Sequence, residues 1–375
     1  MINAFAYQPK EKAKMNDRDY MKRAIELAYK GEGHTNPNPM VGCVIVKNGK
    51  IISEDYHHEY GQFHAERNAL LKCDDAKGAT AYVTLEPCCH FGKTPPCTDI
   101  IIEKGINRVV IGSRDPNPLV AGKGAALLRE AGIEVAEDFM RKECDAINPV
   151  FFHYISTGMP YVVMKYAMTL DGKIATYSGK SKWITGEKAR EHVHTLRNKY
   201  AAIMAGIGTV LADDPMLNCR LPGGKDPLRV ICDSSLRLPL DCNIAKTAHD
   251  IPTVIFCADG TDKAKKNALE ELGIKVIASG DGKGKVDLYK AMQILGEMKI
   301  DSCLIEGGGQ IHEAALKAGI VNHVCAYIAP KIFGGKDAKT PVEGPGAESP
   351  ADAALFTNLK YTQLGEDILL EADIK

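Results

Sequence analysis

Apolar residues in the first 150 positions recur in short blocks whose spacing alternates between the helical and the strand period. Met21, Ile25 and Ala28 mark one face of a helix expected over about 20–30, capped by Asn16 or Asp17 and ended by Gly31. Asn36-Pro37-Asn38-Pro39 then forces a turn. Apolar runs at 41–46 and 51–53 flank Lys47-Asn48-Gly49-Lys50, and Asn-Gly between two such runs is the strongest short-range hairpin signal. A helix opening near His64 carries Ala65, Ala69 and Leu70. Strand 82–85, helix 98–104, strand 108–111, helix 124–131 and strand 133–135 follow, punctuated by Gly78, Gly105, Gly112 and Gly132. This alternation predicts a three-layer α/β domain with a hairpin at one edge.

The pattern restarts after Thr157-Gly158-Met159-Pro160, which stops a helix containing Phe151, Phe152 and Tyr154. Strands are expected at 161–167, 201–205, 228–232, 253–257, 275–278, 302–305 and 323–328. Helices are expected at 187–200, 263–272, 287–298 and 310–318, and a strand pair at 360–363 and 367–372 closes the chain. Strands alternating with helices make a second α/β domain on a mostly parallel sheet. The 375 residues exceed a typical single domain. The expected division is a flexible lead-in over 1–17, one domain over 18–157 and a second over 158–375.

Charge changes this picture little. A formal net charge of −1, with 25% charged residues, lacks the basic excess of a nucleic-acid binder. No apolar run approaches the length of a membrane span, and the first 15 residues lack the apolar core of a secretory signal. Most of the twelve cysteines stand singly in apolar segments, as Cys43, Cys232, Cys257, Cys303 and Cys325 do, which suits reduced buried thiols and a cytoplasmic location. A homo-oligomer is the expected assembly.

The chemistry concentrates between positions 64 and 97. His64-Ala65-Glu66 is followed by Glu86-Pro87-Cys88-Cys89-His90 and Thr94-Pro95-Pro96-Cys97. One histidine and two cysteines suit zinc, and three protein ligands leave a fourth tetrahedral position open, as in catalytic sites. Glu66, two positions after a candidate ligand, is placed to shuttle protons rather than to ligate. His-x-Glu with Pro-Cys is the pattern of zinc nucleobase deaminases, although the second cysteine there usually follows two residues after the first. Here Cys97 follows Cys88 by nine. His64, Cys88 and Cys97 are the expected ligands, with Cys89 the runner-up. Each thiol is expected in a first helical turn, since Pro87 and Pro95-Pro96 suit helix starts and a helix N-terminus favours the thiolate. A purely structural zinc knuckle or a set of buried free cysteines is the alternative, but a closed structural site has no use for a non-ligating Glu66 and normally shows a fourth ligand.

Asn38-Pro39-Met40-Val41-Gly42, His64-Ala65-Glu66, the run from Thr84 to Cys97 and Arg114-Asp115-Pro116-Asn117-Pro118 with Val120-Ala121-Gly122 together resemble the deaminase half of the bifunctional riboflavin biosynthesis deaminase–reductases. The resemblance implies a cytidine-deaminase-like fold, Zn2+ held by His64, Cys88 and Cys97, and Glu66 as the proton shuttle. It also implies that Asn38, His57, Lys93 and Asp115 contact a pyrimidine ribotide. Lys93 is a mobile cation suited to phosphate, and Asp115 an acceptor for ring amino groups. Cys89 departs from the family, whose members carry serine there. His58 reads as a surface residue.

The second half lacks the dinucleotide fingerprint, because Gly206-Ile207-Gly208 and Gly122-Lys123-Gly124 both miss the third glycine. Glu306-Gly307-Gly308-Gly309-Gln310 nevertheless falls between a strand and a helix, where backbone amides can approach a phosphate. With Leu170-Asp171-Gly172-Lys173, Ser181-Lys182-Trp183-Ile184-Thr185 and the run from Gly208 to Pro215, it resembles the reductase half of the same family, whose fold is similar to dihydrofolate reductase. The resemblance covers nearly all of the chain from about residue 18. It implies NADPH at Ala167, Trp183, Thr209, Asp213, Ser234 and the turn Gly308, Gly309, Gln310, Ile311, His312, Glu313 and Ala314. It places the ribotide at Ser181, Arg197, Leu217, Arg220 and Glu306. Arg197 and Arg220 can grip a phosphate bidentately, and Ser234, Ser235 and Arg237 suit the extra phosphate of NADPH. The expected activity is deamination of a diaminopyrimidine ribotide followed by NADPH-dependent reduction of its ribosyl group to ribityl. Its rivals are a deaminase of nucleosides or tRNA bases, and a zinc-stabilised interaction protein.

Overall fold

The computed structural model describes residues 15–117 and 119–375. Residues 1–14 of the expected lead-in, and Pro118, lie outside the described residues. The chain divides into two compact units, Met1–Pro149 and Val150–Lys375.

The first unit contains α1 (Asp17–Ala28), β1 (Gly42–Lys47), β2 (Lys50–Tyr56), α2 (Ala65–Leu71), β3 (Thr80–Leu85), α3 (Cys97–Glu103), β4 (Arg108–Ser113), α4 (Lys123–Glu130), β5 (Glu134–Ala136) and α5 (Arg141–Asp145). Asn16 caps α1 in a reciprocal box with Asp19, so residues 16 and 17 belong to the helix. The sheet order is β2-β1-β3-β4-β5, with β1 antiparallel to both neighbours and β3, β4 and β5 parallel. The hairpin turns on Asn48 and Gly49, both at positive φ, the conformation a two-residue turn of this kind needs. Alternation along β1 sends Val44 and Val46 to a core with Tyr20, Met21, Leu27 and Tyr82 of α1 and β3. On the other face α2 packs on β1, β2 and α3, which presents the α2 and α3 N-termini beside the end of β3.

The second unit contains α6 (Pro149–Thr157), β6 (Tyr161–Thr169), α7 (Glu187–Lys199), β7 (Ala202–Gly206), α8 (Ile207–Asp213), β8 (Leu228–Cys232), α9 (Asn243–Lys246), β9 (Thr253–Cys257), α10 (Lys263–Glu271), β10 (Lys275–Ala278), α11 (Leu288–Glu297), β11 (Ser302–Ile305), α12 (Gly309–Lys317), β12 (His323–Ala329), β13 (Phe356–Leu364) and β14 (Asp367–Ile374). The short helices α5, α8 and α9 have too few turns to show a period and were not expected from the sequence. The nine strands run β10-β9-β8-β7-β11-β6-β12-β14-β13, parallel except for β14, which is antiparallel to both neighbours. Val162, Met164, Cys303 and Ile305 face α11 and α12, whereas Val163, Leu304 and Tyr327 face α7, so both faces of the parallel core are covered. No described helix is long and apolar enough to cross a membrane. In such sheets ligands bind beyond the carboxyl ends of the strands, where Glu306 follows β11 and Thr209 follows β7.

Candidate active sites

His64 is the N-cap of α2 and Cys97 the first residue of α3. The two helices pack together, which brings their N-termini to one place. Cys88 arrives from the irregular segment after β3. It does not begin a helix, contrary to expectation: its carbonyl accepts the Cys97 and Thr98 amides and thereby caps α3. The Cys88 Sγ lies 3.4 Å from His64 Nδ1 and the Cys97 Sγ lies 3.5 Å from the same atom. The three ligating atoms fall within 4.8 Å of one another. Cys89 turns away, with its Sγ 3.7 Å from the Leu119 carbonyl, and neither it nor His90 belongs to the cluster.

Electrostatics separate the two thiols. The Cys97 hydrogen bond, then His64, hold Cys88 down at about 4, while the thiol of Cys97 facing it is pushed up. Glu66 is only 3% exposed, and its Oε2 has no hydrogen-bond partner among the described residues. Burial pushes this carboxyl up to about 7, with the Cys88 thiolate adding to the effect. His57, whose ring meets that of His64, is buried and neutral, its titration depressed to about 4 by desolvation. His57 Nδ1 is 3.0 Å from the Phe63 carbonyl and Nε2 is 3.2 Å from Asn38 Nδ2, so Asn38 and His57 form one wall, with the His57 ring 5.2 Å edge-on from that of His64. Burial also raises Asp115, to about 6. The Lys93 ammonium lies over the Tyr60 ring at 3.9 Å. His58 is at the surface, paired with Asp55.

Glu86 has a role that its sequence position did not reveal. Buried at the end of β3, its carboxylate accepts the amides of Gly122 at 3.0 Å and Ala125 at 3.2 Å, with the Asp115 amide at 3.4 Å. It thereby ties the Asp115 loop and the start of α4 to the residue before Pro87-Cys88. The available signal was a glutamate directly after an apolar strand.

In the second unit Glu306 is buried and meets Arg197, with Nε and Nη2 at 2.7 and 2.9 Å, and Lys165 Nζ at 3.3 Å. The Arg197 fork is therefore engaged by a carboxylate rather than left for a phosphate, and Lys165, which the sequence reading passed over, completes a buried triad. Arg220 donates from Nε to His194 Nε2 at 3.0 Å. Thr209 Oγ1 borders the Gly307-Gly308 turn, where both glycines have positive φ. Gly309 starts α12; a Cβ there would lie 2.4 Å from the Glu343 side chain. His312 is buried with Nδ1 on the Pro341 carbonyl, so the turn offers backbone to a ligand. Ser181 Oγ donates to Asp213 at 3.4 Å, Ala167 lies on β6 opposite Tyr327, and Leu217 is buried in the core. Trp183 is 62% exposed with the Arg190 guanidinium 4.7 Å over its ring. Ser234 Oγ accepts the Val286 amide, and Arg237 is exposed beside Asp233.

The first unit thus has the His-Cys-Cys centre, set at two helix starts and the segment after β3, with a buried glutamate that defines a zinc-dependent deaminase, and the second an α/β unit of reductase type. Residues 14–113 match the cytidine and deoxycytidylate deaminase zinc-binding region, and residues 160–370 match the RibD C-terminal domain. The riboflavin biosynthesis protein RibD of Actinobacillus pleuropneumoniae is 58% identical over 95% of both chains. The crystal structure of a diaminohydroxyphosphoribosylaminopyrimidine deaminase/5-amino-6-(5-phosphoribosylamino)uracil reductase from Thermotoga maritima is 39% identical, covering 95% of this chain and 98% of that one, with a TM-score of 0.81. Acinetobacter baumannii RibD is 38% identical over 96% of this chain and 99% of that one, with a TM-score of 0.86. The chain belongs to the RibD family of bifunctional riboflavin biosynthesis enzymes. It is a deaminase and a reductase, with Zn2+ and NADPH as the cofactors of its two domains.

The residues present fit zinc: three borderline-soft donors converge, and an unpaired buried carboxylate oxygen adjoins them. Gly124 tests how tightly this geometry is held. A Cβ there would lie 2.1 Å from the Pro87 carbonyl oxygen, in the peptide that leads into Cys88. Gly124→Ala is expected to displace that peptide, cost about 1–3 kcal/mol as overpacking, and lower the zinc content of the purified protein. Zinc analysis beside a urea melt checks this, and full zinc occupancy would show that Cys88 is held independently of α4.

Proposed function

We propose that the first unit deaminates a pyrimidine ribotide, 2,5-diamino-6-(5-phosphoribosylamino)pyrimidin-4-one, at a centre formed by His64, Cys88 and Cys97, and that the second reduces the ribosyl group of the product. The observation that carries the first half is the buried, unpartnered Glu66 Oε2 beside the three donors. Zinc, when bound, supplies Lewis-acid activation of water near neutral pH. Glu66, desolvated and raised toward neutrality, takes the water's proton at Oε2, delivers it to the ring nitrogen and serves the departing amine. Asn38 and neutral His57 orient the pyrimidine, Asp115 accepts from its amino groups, and Lys93, on a mobile stem, meets the phosphate.

In the second unit NADPH, when bound, supplies hydride to the imine form of the opened aminoribose. Thr209, Ala167, Trp183, Asp213, Ser234 and the backbone of 308–314 hold the cofactor. Ser181, Leu217, Arg220 and the Arg197–Glu306 pair hold the ribotide. The acidic groups among these residues are already engaged, Glu306 by Arg197 and Lys165 and Asp213 by Ser181, so positioning dominates. The first unit carries the deaminase and the second the reductase, so that α6, which the expected boundary at 157 assigned to the deaminase, goes with the reductase. A cytoplasmic location fits the twelve free cysteines. A homo-oligomer without nucleic-acid partners fits the edge strand β13, where Leu359 and Tyr361 are 62% and 83% exposed; a monomer in sedimentation equilibrium would remove that reading.

The functional test is ammonia release from the diaminopyrimidine ribotide, followed in the same cuvette by NADPH. Ammonia first and then stoichiometric NADPH oxidation is the expected result. Ammonia without oxidation would remove the reductase assignment, and no ammonia from zinc-replete protein would remove the deaminase assignment.

A further inference from the structure

A second group of metal-competent side chains lies in the other unit, outside both sites. Strands β12 and β14 pair antiparallel with His323 opposite Asp373 and Cys325 opposite Glu371. Residues two apart on a strand share a face, so all four side chains converge on one side of the sheet. An imidazole nitrogen of His323, the Cys325 Sγ and a Glu371 carboxylate oxygen lie within 4.8 Å of one another. We propose that His323, Cys325 and Glu371 form a second binding site for a borderline-soft divalent transition-metal cation of the zinc class.

Three observations carry this. First, the donor set is mixed: nitrogen, sulfur and carboxylate oxygen together suit a zinc-class ion and not calcium or magnesium, which take oxygen ligands. Second, the histidine is oriented as metal-bound histidines are. Its Nδ1 is 2.7 Å from Asp373 Oδ1, which leaves Nε2 on the side of Glu371. Asp373 is itself held by the Asn358 amide at 3.0 Å. Third, Nε2 stands 3.8 Å from Glu371 Oε1, too far for a hydrogen bond. Metal–ligand bonds of about 2.0–2.3 Å in tetrahedral array place donors roughly 3.3–3.6 Å apart, so a small closing movement suffices. Cys325 is 1% exposed and fixed on its strand, whereas the Glu371 side chain is 31% exposed and free to adjust. Two cations stand in register with the site: Lys360, opposite Glu371 on β13, and Lys165, opposite Cys325 on β6, whose ammonium is engaged by Glu306. A bound ion would tie β12 to β14, joining the parallel core to the antiparallel edge of the sheet.

The experiment uses the full chain, stripped with chelator and equilibrated against buffered free Zn2+. Two zinc per chain are expected, falling to one in His323→Gln and in Cys325→Ser, and to one in a Cys88→Ser/Cys97→Ser chain. With Co2+, the thiolate-to-cobalt charge-transfer band is expected to persist in Cys88→Ser/Cys97→Ser and to vanish when Cys325→Ser is added. If buried Cys325→Ser fails to fold, the partly exposed Glu371→Gln reads the same stoichiometry. One zinc per chain in the wild type, lost with Cys88 and kept in His323→Gln, would overturn this proposal while leaving the deaminase centre intact. A second equivalent that survives both His323→Gln and Glu371→Gln would overturn it as well.

Discussion

Glu66→Gln is expected to lower ammonia release by a factor of about 10²–10⁴, the range that a positioned general acid–base group contributes, while zinc content, and NADPH oxidation when the deaminated ribotide is supplied, stay at wild-type values. The substitution preserves the shape of a side chain that is 3% exposed, so packing around α2 is kept. It removes the ability of Oε2 to accept and return a proton at the only point where a buried carboxylate oxygen without a partner adjoins the His64, Cys88 and Cys97 donors, among the described residues. The fold need not suffer: burial already disfavours the charged form of this carboxyl, and the Cys88 thiolate disfavours it further. Ammonia release within tenfold of wild type would remove the shuttle role. Loss of zinc along with activity would instead make Glu66 a support of the metal centre.

That site was legible because its residues are close in sequence and each has a distinctive chemistry. His64 and Cys97 are separated by 33 positions and both open helices, which proline and the onset of an apolar period announce. The same logic failed one step away, at Cys88. Pro87 looks like a helix start, yet the Cys88 carbonyl is consumed in capping α3, a hydrogen bond between segments that no local pattern reports. Glu86 is similar: its value lies in the three amides it accepts from residues 29 to 39 positions downstream.

In the second unit the strands were legible from their apolar runs, but their order was not. β11 lies between β7 and β6, a neighbour relation created by two crossovers. Everything that depends on that order was hidden. Arg197 and Glu306 are 109 residues apart and read separately as a phosphate grip and a sugar acceptor; the fold makes them partners. His323, Cys325, Glu371 and Asp373 likewise converge only once the β12–β14 register is known. Cys325, expected as a reduced buried thiol, is buried and also stands next to a histidine and a carboxylate.

Glu306→Gln is expected to destabilise the second unit by about 3–5 kcal/mol at neutral pH, because removing one member of a buried ion pair leaves the other charge uncompensated. Here two cations, Arg197 and Lys165, are left facing a neutral amide. Burial alone would raise the Glu306 carboxyl, and the charges of Lys165 and Arg197 outweigh it, holding it at about 2 against an ordinary 4.5. At about 1.4 kcal/mol per pH unit, that depression corresponds to about 3 kcal/mol, in line with the mutational figure. The folded-state value is the lower one, so this stability is fully present above pH 4.5 and is lost as the pH falls toward 2. Hydrogen exchange in β6 and β11 measured from neutral pH downward separates this unit from the deaminase and its acid-labile thiolates. In wild type, protection of these strands should fall between those pH values by an amount that the variant has already lost at pH 7. The reductase should lose activity with the same substitution, since Arg197, no longer held by two hydrogen bonds, leaves the ribotide without a fixed wall. A variant as stable as wild type at pH 7, with the same acid profile, would mean that the triad is solvated and contributes nothing to holding the strand ends together.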